Sequence, residues 1–108
     1  MSVDAVTKEI LESVTQGQAP LMESLLTMHE NTQARSGLDD RTYLLVRIAA
    51  LVALDAPVES YVVHLAMAAD VGLTAEDVRG VLIALGPVVG SARALSAADK
   101  ATRAVNQA

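Results

Sequence analysis

The feature that most constrains this chain is a stretch in its middle, where Leu44, Leu45, Val46, Ile48, Ala49, Leu51 and Val52 crowd together. Wound as a helix, these residues point in nearly every direction, and a helix apolar on most sides belongs at the centre of a bundle. The spacing predicts a helix from about Asp40 to Leu54, with Asp39 or Asp40 as its cap.

The rest of the chain supplies partners for it. Val6, Ile10 and Val14, with Leu11 alongside, make a stripe at i, i+4, i+8, so a first helix is expected over about Val3 to Val14, broken by Gln16-Gly17-Gln18. Pro20 suits the first turn of a second helix bearing Leu21, Leu25 and Met28, which is expected to fade in the polar segment Asn31 to Gly37. After the central helix, Asp55 and Pro57 mark a turn into a fourth, whose inward stripe is Val58, Tyr61, Val62, Leu65 and Ala69 and whose end is Gly72. The third and fourth should form an antiparallel hairpin. Thr74 and Asp77 have the spacing of a capping box ahead of Val78, Val81, Leu82 and Leu85, and Gly86-Pro87 should stop that fifth helix. A sixth, rich in small residues, is expected from Val88 to about Val105. The expected fold class is therefore all-α, a bundle of about six helices in a single domain over residues 1–108.

Composition narrows the function. Without cysteine there is no disulfide, no thiolate metal site and no peroxidatic sulfur. A net charge of −5, no Phe or Trp, and only Tyr43 and Tyr61 as aromatics leave no basis for nucleic-acid binding. The longest uncharged run, Gly80 to Ala92, is shorter than the roughly 20 apolar residues of a membrane span and contains Pro87. No secretory signal pattern opens the chain, so the cytoplasm is the default expectation. At 52% hydrophobic residues, a domain this small has apolar surface to spare for another subunit.

Three pieces carry a family likeness: Leu38-Asp39 with Arg41-Thr42, then His64, then Gly72 through Val78. Residues 37–95 resemble the core of the carboxymuconolactone decarboxylase and alkylhydroperoxidase-D-like family. In the hydroperoxidase branch, a glutamate on the central helix, a Cys-x-x-Cys pair and a histidine form a proton relay. The resemblance puts the cysteine positions on Pro57 and Ser60 and the glutamate position on Leu44 or Leu45, so thiol peroxidase chemistry is excluded. The decarboxylase branch works without the pair, and it implies a cofactor-independent lyase or isomerase acting on a small carboxylated lactone or related acid. Under that reading His64 and Glu59 are the catalytic candidates. The resemblance also implies a homo-oligomer, a trimer or hexamer.

The residues themselves permit these roles and blander ones. An imidazole such as His64 suits acid/base work, with Tyr61 and Ser60 one turn away to orient it, yet it could equally be a packed core histidine. Arg47 interrupts an apolar helix and shares a face with Asp40 and Tyr43, so Arg47, or Arg41 before it, could clamp a carboxylate; a structural ion pair is the alternative. Glu59 in a first helical turn is favoured by the helix dipole alone. His29 has no convergent acid that would make a metal site, and Met22, Met28 and Met67 are read as core filler. Neither a metal nor a cofactor is expected. Beside the lyase or isomerase stands a second expectation, a non-catalytic oligomeric binding or scaffold module of the same fold.

Overall fold

The computed structural model describes residues 18–107. Five helices occupy them: α1 (Gln18–Ser36), α2 (Asp40–Leu54), α3 (Val58–Asp70), α4 (Ala75–Val89) and α5 (Ser91–Gln107). No strand occurs among the described residues. The all-α expectation holds, and the helix expected over 3–14 lies outside the described residues. The chain divides into two compact units between Gly37 and Leu38.

The first unit contains α1. Where the sequence suggested a fade after Asn31, the helix continues through Ser36, and Gly37 ends it at φ 71°. Half-buried Gln33 and exposed Ala34 and Arg35 are tolerated or favoured in a helix, so polarity alone is no stop signal. Met28, expected to face inward, is exposed.

The second unit holds the other four helices, and their boundaries follow from caps. Asp39 accepts a hydrogen bond from the Thr42 N–H at 2.8 Å, which starts α2. At its end Asp55 takes a left-handed conformation, φ 52°, with Asp55 N–H bonded to Val52 O and Ala56 N–H to Leu51 O. The end of α3 repeats that pattern, with Gly72 in the left-handed position and Leu73 N–H reaching Ala68 O. An aspartate tolerates this conformation less well than glycine. Asp55 is tied down by Ser96 and Lys100 of α5, each 2.9 Å from its carboxylate.

The Thr74–Asp77 capping box starts α4 as expected. Its expected stop fails: the helix runs through Gly86 and Pro87 to Val89, and Gly90 at φ 91° ends it. Pro87 lacks an N–H, but it falls in the last turn, where little helix remains to be disrupted. Consequently α5 starts at Ser91 rather than Val88.

Two apolar clusters hold these helices. One joins Tyr43, Leu44 and Ile48 of α2 to Ala68 and Leu73; the other joins Val52 and Ala56 to Tyr61 and to Ala97 and Ala104 of α5. Early α2 thus meets late α3, and late α2 meets early α3, which is the antiparallel hairpin the sequence implies. Ala68 lies inward rather than the expected Ala69, which is exposed. The alanines of α5 let it approach α3 closely. Central as it is, α2 does not bury its whole circumference, since Val46 and Leu54 remain exposed.

Candidate functional site

Across the α2–α3 hairpin, one polar group interrupts the apolar packing. The Nε–H of Arg47 donates to Nε2 of His64 at 3.1 Å, and Arg47 Nη1 donates to the Tyr43 hydroxyl at 2.6 Å. The guanidinium carbon also lies 5.2 Å from the centroid of the Tyr43 ring, a cation–π distance. On its far side, His64 Nδ1 is 2.8 Å from the carbonyl oxygen of Ser60.

These contacts fix the imidazole's tautomer. A guanidinium N–H can only donate, so Nε2 is the acceptor; a carbonyl can only accept, so Nδ1 carries the proton. In this arrangement the ring pairs as the Nδ1-protonated tautomer. A second proton on Nε2 would break the Arg47 bond and set two cations against each other. Tyr43 is buried, while Arg47 and His64 are half-buried, and among the described residues two of the five guanidinium N–H groups find partners. Among the described residues no carboxylate pairs with Arg47. Chemically, the group offers a cation with spare donors beside a nitrogen lone pair.

The other sequence candidates join this group only in part or lie elsewhere. Ser60 contributes its backbone carbonyl rather than its hydroxyl. Tyr61, one turn before His64, faces the second apolar cluster, with 1% of its surface exposed and no partner for its hydroxyl among the described residues. Burial, and secondarily the charge of Asp55, push that hydroxyl's pKa up. Glu59 is exposed in the first turn of α3, apart from the Arg47 cluster. Arg41 belongs to a different construction: Nη1 donates to the Gly72 carbonyl at 3.0 Å and Nη2 approaches Asp77 at 3.5 Å. The pKa of Asp77 is held below the usual carboxylate range first by the Thr74 backbone N–H, then by the Thr74 hydroxyl, with Arg41 adding its charge.

Tyr43 had a legible signal, its i, i+4 spacing from Arg47; the Arg47–His64 bond, which spans 17 positions of sequence and two helices, had none. At the relay positions of the hydroperoxidase pattern, Leu44 is 3% exposed within the first cluster and Leu45 packs against it. Pro57 is the N-cap residue of α3. Among the described residues no three His, Asp or Glu side chains converge as a metal site would require, and no helix is long and apolar enough to cross a membrane.

The sequence model of the carboxymuconolactone decarboxylase family matches residues 19–104. No curated protein and no solved structure matches the chain.

Proposed function

The chain belongs to the carboxymuconolactone decarboxylase family, and on that premise we propose that it is a cofactor-independent lyase or isomerase acting on a small carboxylated lactone or related acid. The observation that carries this reading is the hydrogen bond from Arg47 to His64 Nε2. A substrate carboxylate is a stronger acceptor for a guanidinium than a neutral imidazole, because both partners then carry charge and the guanidinium fork can bond both oxygens. Binding it draws the Arg47 N–H groups off Nε2 and frees the lone pair next to the substrate. His64 then acts as the acid/base group.

An isomerase step is balanced by His64 alone: Nε2 takes a proton from a carbon beside the carbonyl and returns it to another carbon. A lyase step breaks the bond to the carboxyl carbon, releases carbon dioxide and leaves an electron pair that needs one proton. That proton comes from solvent through Nε2, since the Nδ1 proton is engaged by Ser60. The step balances without Glu59, the other catalytic candidate, which is exposed in the first turn of α3.

Turnover assays on a panel of small lactone and keto-acid carboxylates test the proposal. His64→Ala should lower turnover by at least about 100-fold while leaving assembly intact. A His64→Ala protein that turns over normally overturns it.

A second reading, a non-catalytic binding or scaffold module, draws support from the hydrocarbon that Leu44 and Leu45 put at the relay's glutamate position. It predicts that His64→Ala alters only stability or assembly. Either reading includes a homo-oligomer, trimer or hexamer, supported by the outward-facing Leu54, Ile83, Val88 and Leu95, each at least 69% exposed. Light scattering on the eluting species should give a multiple of the chain mass, and a strict monomer sinks the assembly.

A further inference from the structure

A concavity separate from the Arg47 cluster lies within the unit that begins at Leu38. It is a cleft of about 360 Å³ between the later part of α3, the first half of α4 and the later part of α5. Its wall is mostly hydrocarbon, including Leu65, Leu73, Val78, Leu82 and Val105. Tyr43, Arg47 and His64 are not among the residues that line it. The volume is at the lower end of the roughly 300–1,000 Å³ typical of small-molecule sites.

Three residues with polar side chains lie on this wall, and two are already committed. Thr74 Oγ1 serves the capping box, and Thr102 Oγ1 donates to the Ala98 carbonyl at 2.9 Å. The third is Arg79, an exposed cation with no hydrogen bond or ion pair among the described residues. Among the described residues no acidic one lines the cleft. A hydrocarbon wall with one uncommitted cation complements an apolar body carrying one negative charge. Water held there would find few partners, so an apolar group displaces it favourably.

We propose that this cleft binds an amphipathic monocarboxylate of the medium-chain fatty-acid class, with its hydrocarbon between α3, α4 and α5 and its carboxylate on Arg79. The site shares no residue with the Arg47 cluster, so it stands or falls separately from the proposed lyase or isomerase.

The test is a fluorescence titration of the full chain with dansyl-undecanoic acid, followed by displacement with decanoate and with decanol. Saturable binding is expected, with decanoate displacing the probe at about one-tenth the concentration that decanol requires. Arg79→Gln should erase that tenfold preference for the acid, and Ala69→Trp, which fills the cleft from an exposed position, should abolish binding of both. The proposal is overturned if the probe does not saturate, if Arg79→Gln and Ala69→Trp bind like the native chain, or if Arg47→Gln is the substitution that removes binding.

Discussion

Two arginines stand on α2, Arg41 in its first turn and Arg47 in its middle, and the fold uses them differently. Arg41, with half of its side chain exposed, fastens the start of α2 to the Gly72 carbonyl and to Asp77, so its charge meets an opposite charge. Arg47 is half-buried against a phenol and a neutral imidazole, with no carboxylate beside it among the described residues. A cation placed between two neutral groups is costly to bury, and replacing such a group with a well-packed apolar residue is often neutral or stabilising. Arg41 has a structural explanation, whereas Arg47 has no partner of opposite charge among the described residues.

The largest effect should come from removing the support under both. Ile48 is fully buried in the first cluster, so Ile48→Ala should cost about 2–5 kcal/mol of stability in denaturant melts. The comparison sharpens with Arg47→Met, which should reduce turnover of a carboxylated substrate by about 100-fold or more while the melting temperature holds or rises. Arg41→Met should do the reverse, lowering the melting temperature and sparing turnover. If Arg47→Met melts far below the native chain and Arg41→Met does not, the assignment of the two residues is inverted.

A smaller effect isolates the Arg41 side. Thr74→Ala removes the cap that holds Asp77 and should cost about 1 kcal/mol, with the His64 ring resonances unmoved. Acid acts on the same side. The carboxyl pKa values of Asp39, Asp55 and Asp77 are all held below the usual range, led respectively by the Thr42 N–H, by Lys100 and by the Thr74 N–H. A carboxylate whose folded pKa is lowered contributes stability that is complete above its unfolded pKa, about 3.9, and lost as pH falls through the folded one. Thermal melts should therefore hold steady down to about pH 4 and drop below it, and Asp77→Asn should flatten part of that drop. A flat profile into stronger acid would remove these carboxylates from the account.

Sequence reasoning found what is written locally. Asp39, the Thr74–Asp77 box and Gly72 act within a few residues of themselves, so the limits of α2 and the starts of α3 and α4 could be read in advance. It erred where a local rule met its surroundings. Pro87 breaks a helix interior but only trims a last turn, and Asn31 to Ser36 stay helical because no residue among them forbids it. Tyr61 and Ser60 were candidates because they lie one turn from His64, yet one faces the other cluster and the other lends only its backbone. The Arg47–His64 contact depends on how α2 and α3 pair, and no spacing within either helix encodes that register.

The state of the His64 ring tests the central claim most directly. Long-range proton–nitrogen spectra at neutral pH should show a neutral imidazole protonated at Nδ1, with Nε2 shifting when a small lactone carboxylate takes Arg47 away from it. A ring protonated at Nε2, or one indifferent to every such carboxylate while Arg47 is intact, would contradict the account.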